Sequence, residues 1–388
     1  MAIEPNQYMN KPVYINRIAG FLPGDPVSND EMEQYLGFVG GNFRSKSKAI
    51  VLRNNKITTR YYAIDKNGNS TYSNAELTAE AIRRLQSDDF KLTDIQLLTC
   101  GTTSPDQLLP SHASMVHGEL KSNPHEAISF SGSCCSGMNA LKYAFMSIAL
   151  GSSTNAVTTG SEKLSQWMQA GNFREEAEKL RSLEAQPFLA FEKDFLRWML
   201  SDGAAAVLLT DQPNTKDMSL RLDWIEICSF ANELETCMYF GGEKEDNGNL
   251  KGWAVMDQND WLGKSIFSLR QDTRLLEANI ARMGTKKFSE ILARRQVSID
   301  SIDWYLPHIS SEFFRSKVDD EMKKYNLAIP QEKWFTNLSR IGNIGAASIF
   351  LAMEELMNSG RLKKGERILL SVPESARFSY ATALLTVC

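Results

Sequence analysis

The sequence has no long hydrophobic run and no excess of basic charge, and each absence excludes a class of protein. No window is long and apolar enough to span a bilayer, and the N-terminus has no basic segment before an apolar run. The formal net charge is -4, whereas nucleic acids and anionic membranes attract basic proteins. We therefore expect a cytoplasmic protein that binds neither nucleic acid nor membrane.

Cysteine and histidine are also scarce, with six and four copies in 388 residues. The cysteines show no regular framework, and the adjacent Cys134 and Cys135 can bond to each other only through a strained ring, so structural disulfides are not expected. The histidines make no ligand spacing with the thiols, and no Cys-x-x-Cys is present, so a metal site is not expected. The adjacent thiols therefore need another explanation.

Short apolar runs alternate with helical patterns along the chain, which is typical of an α/β protein. Residues 136–150 carry the apolar spacing of a helix, and the charged segment 163–193 is interpreted as an insertion. The predicted strands of the first half are IQLLTCGT, EAISFSG, NAVTTGSE and GAAAVLLT, at 95–102, 126–132, 155–162 and 203–210.

The second half of the chain repeats the pattern of the first. A Ser-Gly pair, an apolar helix, a glycine and a strand follow Cys135, and Ile-Gly with the same sequence of elements follows Asn343. Near-equal spacing predicts a duplication into residues 1–212 and 213–388, the first half also holding the helical insertion. Alternation of strands and helices alone is the other explanation of part of this match.

A duplication would bring three side chains with reactive groups toward one centre. Cys135 and Asn343 would begin equivalent helices, and His308 would end a strand, and α/β sheets bind ligands at such places. A thiol in the first turn of a helix feels the positive end of the helix dipole, which lowers its pKa. The alternative roles are a core cysteine, a structural histidine and an N-cap asparagine.

Three ordered segments resemble the active-site motifs of the thiolase superfamily, in its β-ketoacyl-acyl-carrier-protein synthase III branch. They are CCSGMNAL, WYLPHISSEFF and RIGNIGAASIFLAMEEL. The resemblance implies a five-layer αβαβα sandwich of two pseudo-symmetric halves, usually a homodimer. It also implies Cys135, directly before Ser-Gly, as nucleophile, with His308 and Asn343 stabilising an enolate. Substrates would arrive as phosphopantetheine (acyl carrier protein) or coenzyme A thioesters, with no tightly bound cofactor and no metal.

The segments LRNNKITTRYYA and PESARFSY resemble the ketosynthases of dialkylresorcinol and flexirubin biosynthesis. Those enzymes join a β-ketoacyl and an α,β-unsaturated acyl thioester and close a cyclohexanedione ring. The family's glycine-rich C-terminal loop is replaced here, so the resemblance implies an oxyanion hole built from the backbone N–H groups of Cys135 and Ala376. Glu374 is expected either to pair with Arg377 or to assist proton transfer during ring closure.

Basic residues in the C-terminal half form a candidate docking surface for an acidic carrier protein, represented by Arg315 and Lys317. A solvated helix face is the other interpretation. Two other functions stay open: a β-ketoacyl synthase III that initiates fatty acid or polyketide synthesis, and a catalytically silent ketosynthase partner subunit. Retention of all three motif residues favours a catalyst, specifically an acyltransferase that forms carbon–carbon bonds.

Overall fold

The computed structural model describes residues 11–38, 48–173 and 196–388. The strands in these ranges are β1 Tyr14–Phe21, β2 Val27–Ser28, β3 Thr59–Arg60, β4 Leu97–Thr102, β5 Glu126–Ser131, β6 Asn155–Glu162, β7 Gly203–Thr210, β8 Leu220–Ser229, β9 Met238–Tyr239, β10 Gly242–Lys244, β11 Leu250–Gly252, β12 Arg270–Gln271, β13 Trp304–Pro307, β14 Arg367–Glu374 and β15 Ser379–Val387. The α-helices are α1 Met32–Leu36, α2 Lys48–Asn55, α3 Asn74–Arg83, α4 His112–Leu120, α5 Ser136–Ala149, α6 Gln258–Gly263, α7 Thr273–Arg295, α8 Phe313–Lys324, α9 Leu338–Ile341 and α10 Ser348–Asn358. None of the helices in these ranges combines the length and the apolar character needed to cross a membrane.

The main sheet has nine strands in the order β13-β14-β15-β8-β1-β7-β6-β4-β5. From β1 outward, two antiparallel pairings lead to β6, and parallel pairings continue to β4 and β5. From β8 outward, two antiparallel pairings lead to β14, and a parallel pairing leads to β13. The same sequence of strand directions therefore occurs in both halves of the chain, while the boundary at residue 212 stays a prediction.

The strands predicted in the first half occur as β4, β5, β6 and β7, and the predicted helix at 136–150 occurs as α5. These predictions are confirmed. They were possible because strands such as β4 and β7 are buried and apolar, and the others are bounded by Gly and Ser residues typical of turns. Of the predicted insertion, residues 163–173 form two short 3₁₀ turns, Ser165–Met168 and Ala170–Phe173. The remainder of it lies outside the described residues.

Helices α5 and α10 form the central layer between the two halves of the sheet. Their apolar residues, among them Met138 and Leu141 from α5 and Phe350 and Met353 from α10, share one core cluster. Burial of each such side chain contributes about 1.5–3 kcal/mol. Helices α3 and α4 cover the outer face of the first half, and α7 and α8 cover that of the second. The order of layers is therefore αβαβα, with α5 and α10 at the centre.

Two glycines allow the halves to meet at the start of α10. A Cβ added to Gly160 in β6 would lie 2.2 Å from the carbonyl oxygen of Ala346, and one added to Gly137 in α5 would lie 2.6 Å from it. Real Cβ atoms do not approach this closely, so both positions need glycine for the backbones to pack. The turn before α10 is thereby held directly against β6 and α5.

Gly160→Ala is expected to destabilise the protein by about 1–3 kcal/mol, because the new methyl group meets backbone that has little room to move. Urea unfolding followed by circular dichroism measures the change. Gly118→Ala in α4 is the matched control, since an added Cβ there has nothing within 4 Å. Equal stability of Gly160→Ala and the unmodified protein would contradict the close approach.

Candidate active site

The ends of two corresponding strands supply the first residues of the site. Thr103 directly follows β4 and His308 directly follows β13. The backbone N–H of His308 donates to the carbonyl oxygen of Ser371 in β14 at 2.8 Å, which fixes where the histidine leaves the sheet. The predicted placement of His308 at a strand end is thus what the structure has.

A cavity lies in front of these strand ends. Its polar lining residues, which form its polar part, are Thr103, Ser133, Cys134, Gln271, His308, Ser310, Asn343 and Ser375. Most of the remaining wall is apolar and includes Leu164, Leu196, Leu200, Met238, Leu269, Leu276, Ile280, Ile309, Phe314 and Val318. Such a wall suits a hydrocarbon chain whose reactive end reaches the polar groups.

His308 is neutral and has an unused donor or acceptor. The side chain is 6% exposed, and its Nε2 has no hydrogen-bond partner among the described residues. Burial lowers the pKa of His308 from 6.5 to about 4, because a charged imidazolium would lose its hydration. Near neutral pH the ring can therefore donate one N–H to a substrate oxygen without carrying charge.

Asn343 precedes α10 in a turn rather than beginning that helix. Its backbone N–H donates to Met199 and its carbonyl accepts from Ser201, each at 2.9 Å, which attaches the turn to the segment before β7. Its Oδ1 accepts the backbone N–H of Gly345 at 3.0 Å. The oxygen makes the local turn, and no acceptor for Nδ2 is found in the described part of the chain. The local bond and donation to a substrate therefore use different atoms.

The adjacent cysteines have different surroundings, and the assignment of Cys135 as nucleophile stays a prediction. Cys135 precedes α5, is 1% exposed, and donates its thiol hydrogen to the carbonyl of Val372 at 3.2 Å. Cys134 is half-buried and lines the cavity with His308 and Asn343. The structure therefore brings Cys134, rather than Cys135, to the cavity.

Both thiols are held in their protonated form. Burial raises the pKa of Cys134 to about 12 and that of Cys135 well above its usual range, and the Glu374 carboxylate adds to both effects. The low thiol pKa expected from the helix dipole is therefore wrong for Cys135, because loss of hydration outweighs the dipole.

The Glu374 carboxylate accepts the backbone N–H of Cys135, which the family resemblance assigned to the oxyanion hole. Its Oε2 accepts the backbone N–H groups of Ser133 at 3.1 Å and Cys135 at 3.0 Å. The expected pair with Arg377 is not formed, since both residues are described and Arg377 instead donates to the carbonyl of Leu234. Pro373 and Ser375 line the cavity on either side of Glu374, which does not.

Ala376, the other residue assigned to the oxyanion hole, is held through its carbonyl oxygen. That oxygen accepts the backbone N–H groups of Cys237 at 2.9 Å and Met238 at 3.2 Å. These bonds fix the turn between β14 and β15, and the adjacent Ser375 lines the cavity. Donation by the N–H of Ala376 to a substrate stays a prediction.

Glu162 is a buried carboxylate that sequence reasoning missed. Its oxygens accept the hydroxyls of Thr103 and Ser104, each at 2.7 Å, and the backbone N–H of Ala346 at 3.1 Å. Burial raises its pKa to about 7 despite these donors. Glu162 thereby links the Thr103 side of the cavity to the turn that holds Asn343. The sequence signal that could have identified it is an acidic residue at the end of the apolar strand NAVTTGSE.

The two residues assigned to carrier docking lie on α8 and form ion pairs within the chain. Arg315 pairs with Glu312 at 2.6 Å, and Lys317 pairs with Glu277 at 2.7 Å. Phe314 of the same helix lines the cavity, so α8 flanks it. The positive charge of both residues is therefore partly compensated, and carrier docking at this helix stays a prediction.

The cysteines and acidic residues form no disulfide or metal cluster in the described residues. All six cysteines lie within these ranges, and none is in a disulfide. No group of three or more His, Cys, Asp or Glu side chains there is arranged to hold a metal ion.

Comparison with known proteins gives both sequence and fold similarity. The family model of the 3-oxoacyl-[acyl-carrier-protein (ACP)] synthase III C-terminal domain matches residues 292–386. A β-ketoacyl-[acyl-carrier-protein] synthase III of Clostridium perfringens is 26% identical over 353 residues, covering 90% of this chain and 92% of the relative.

Two solved structures share the fold at low identity. AbyA1, a tetronic acid condensing enzyme, has a TM-score of 0.73 at 18% identity, with 96% of this chain and 99% of that chain covered. A variant of Xanthomonas campestris OleA with bound lauric acid and lauroyl-CoA has a TM-score of 0.74 at 20% identity, with 98% and 99% covered. The predicted thiolase-like fold is confirmed by these similarities.

Acidification is expected to destabilise the protein through His308. The unfolded chain protonates this histidine below about pH 6.5, whereas the folded protein does so only as the pH approaches about 4. Folding stability is therefore full above pH 6.5 and is lost as the pH falls toward 4, and the loss reaches about 2 kcal/mol by about pH 5. Urea unfolding at several pH values compares the unmodified protein with His308→Gln, which cannot titrate. His112, whose pKa burial also lowers to about 4, is present in both proteins and cancels. Identical pH dependence in the two would contradict the neutral, buried histidine.

Proposed function

We propose that this chain is a Claisen-condensing acyltransferase. Its sequence and fold similarity supports a place in the ketosynthase III family of the thiolase superfamily. The observation that carries the proposal is the composition of one cavity. The imidazole of His308, the carboxamide of Asn343 and Cys134, the residue next to Cys135, all line it, and the rest of its wall is mostly apolar. These are the groups needed to hold an acyl chain and to react at its thioester.

The first step is transfer of an acyl group to Cys135. The sulfur attacks the carbonyl carbon of an acyl thioester, the new carbon–sulfur bond forms, and the carrier's carbon–sulfur bond breaks. The proton lost by Cys135 leaves on the carrier thiol, so one thioester is exchanged for another. We assign this role to Cys135 because it directly precedes Ser-Gly in CCSGMNAL and stands at the start of α5. Cys134, which lines the cavity, is the alternative.

The second step is condensation at the acyl-cysteine. A malonyl-type thioester loses CO₂, or a β-ketoacyl thioester loses a proton to water, and the resulting enolate oxygen accepts N–H groups of His308 and Asn343. Each donor is worth about 3 kcal/mol if oxyanion-hole substitutions are a guide. The enolate carbon attacks the acyl carbon, and the tetrahedral adduct expels the cysteine thiolate. The cysteine thiolate expelled at the end of the step takes up one proton from water. Neither His308 nor Asn343 needs to carry a charge in this step.

The finer assignment is the formation of a dialkylresorcinol precursor. In this reaction the enolate of a β-ketoacyl thioester takes an α,β-unsaturated acyl group from Cys135, which frees the cysteine thiol. A conjugate addition then forms the second carbon–carbon bond and closes a cyclohexanedione ring that still carries the carrier thioester. Its support is the resemblance of LRNNKITTRYYA and PESARFSY to ketosynthases of that kind, together with an apolar cavity wall that suits two alkyl chains. Initiation of fatty acid or polyketide synthesis is the alternative, and the named relatives favour it.

The partners in this proposal are an acyl carrier protein or acyl-CoA and a second copy of the chain. Arg315 and Lys317 stay the predicted carrier contacts, since α8 flanks the cavity. A homodimer is supported by β5, which lies at the edge of the sheet with only β4 as a partner among the described strands. A cytoplasmic location stays a prediction.

Incubation with acyl-CoA of several chain lengths is expected to add one acyl group, detected by intact mass. The adduct is expected to be absent from Cys135→Ala and present in Cys134→Ala, which is the matched control because it alters the neighbouring thiol. The reverse result would assign the nucleophile to Cys134. No adduct in either variant or in the unmodified protein would favour a silent partner subunit.

Reaction of a β-ketoacyl thioester with an α,β-unsaturated acyl thioester is expected to give a cyclohexanedione, identified by liquid chromatography and mass spectrometry. His308→Ala is expected to acylate normally but to condense about 100-fold or more slowly, because one enolate donor is lost. Acylation thus serves as the internal control for folding. Condensation only with malonyl-carrier protein would instead support the initiating synthase.

A further inference from the structure

Glu162, the last residue of β6, is fully buried and is not among the described residues that line the cavity. Donors from two sides reach its side chain. The backbone N–H and hydroxyl of Thr103 and the hydroxyl of Ser104 come from the end of β4, at 3.2, 2.7 and 2.7 Å. The backbone N–H of Ala346 comes from the turn before α10, at 3.1 Å. One carboxylate therefore joins the two halves of the chain beside the cavity.

The turn before α10 leaves the space that this carboxylate occupies. A Cβ added to Gly345 would lie 2.6 Å from Oε1 of Glu162, which is closer than real Cβ atoms come to another atom. Gly345 also lines the cavity and directly precedes Ala346, the donor of the hydrogen bond. The turn is therefore held by Glu162 at two adjacent residues, one through close packing and one through a hydrogen bond.

The side chain of Asn343 is anchored in the same turn. Its Oδ1 accepts the backbone N–H of Gly345 at 3.0 Å, and the next backbone N–H, that of Ala346, donates to Glu162. Two consecutive N–H groups are thus divided between the carboxamide and the carboxylate. A movement of the turn away from Glu162 would carry the anchor of the Asn343 carboxamide with it.

The hydrogen bonds to Glu162 are of the kind that fixes a buried turn. Backbone N–H groups can only donate, so those of Thr103 and Ala346 need an acceptor where no water reaches them. Bonds to a carboxylate are roughly twice as strong as bonds between neutral groups. Without Glu162 both N–H groups would lose this acceptor, and the turn would gain freedom to move.

We propose that Glu162 is a positioning residue that holds the turn bearing Asn343 against the end of β4. It acts through the backbone of that turn and does not touch the substrate. Its consequence for catalysis rests on the proposed function, in which the Asn343 carboxamide donates to the enolate oxygen. The attachment of the turn is a property of the fold and does not depend on that reaction.

A double-mutant cycle between Glu162 and Asn343 tests the role. Glu162→Ala is expected to acylate normally and to condense about 10- to 100-fold more slowly, because a misplacement of about 1 Å at a reacting group costs up to that much. Asn343→Ala is expected to condense about 100-fold more slowly. Adding Glu162→Ala to Asn343→Ala should then slow condensation by less than about threefold, since the residue through which Glu162 acts is already absent.

Glu162→Gln is the conservative variant. Its amide oxygen can take the place of Oε1 and accept from Ala346 and Thr103, while its NH₂ group faces the Ser104 hydroxyl, which can accept. Condensation should stay within about threefold of the unmodified rate. Glu354→Ala is the matched control, because Glu354 is a largely buried carboxylate in α10 that accepts one backbone N–H, from Gly20. It should leave condensation unchanged.

Three outcomes of the cycle would overturn the proposal. They are an unchanged condensation rate in a folded Glu162→Ala, a further loss of about tenfold or more in the double variant, and an equal loss in Glu162→Gln and Glu162→Ala. If Glu162→Ala does not fold, Glu162→Asp takes its place in the cycle. Its carboxylate is one methylene shorter and cannot reach Thr103 and Ala346 together, so an unmodified rate in that variant would also overturn the proposal.

Hydrogen exchange at the Ala346 amide, followed by mass spectrometry at single-residue resolution, needs no acyl substrate. The exchange is expected to be about tenfold or more faster in Glu162→Ala and unchanged in Glu354→Ala, because only the first variant removes the acceptor of that amide. A protein that never condenses but shows this exchange pattern would reject the proposed function and leave the role of Glu162 intact. Unchanged exchange in Glu162→Ala would overturn the role of Glu162, whatever the activity.

Discussion

The site depends on how closely the turn before α10 approaches the first half of the chain. Gly160 and Gly137 leave room for the carbonyl of Ala346, and Glu162 accepts its N–H. The carbonyl and the N–H of Ala346 are thus both fixed by the first half of the chain. Because Asn343 lies three residues before Ala346, this contact determines where its carboxamide stands relative to the cavity.

Removal from water controls the chemistry of the cavity more than any nearby charge does. It is the largest influence on the pKa of His308, Cys134 and Glu162, and in each case it favours the neutral form. A site of this kind stabilises an enolate through oriented neutral donors and not through a positive charge. Acyl chains enter such surroundings readily, since the wall beyond the polar end is largely apolar.

Much of the fold was predictable because its strands are buried or bounded by clear turn residues. The repeat also led to His308 and Asn343, since each sits at a place that strand and helix spacing defines. The surroundings of Cys134 and Cys135 were not predictable in this way. Successive residues of a tight turn diverge, and the partners of Cys135, Val372 and Glu374, lie over two hundred residues later in the chain. The hydrogen bonds of Glu162 were hidden for the same reason, because their donors come from distant segments.

The bond between Asn343 Oδ1 and the N–H of Gly345 removes an ambiguity that carboxamides usually carry. Rotating the amide by half a turn would set two donors against each other, so the group can present only hydrogen to the cavity. In the proposed reaction, Asn343 therefore disfavours ligands that bring a hydroxyl or amine hydrogen to this point and favours those that bring a bare oxygen. On that proposal, selectivity for carbonyl compounds is encoded by a backbone amide that never meets the ligand.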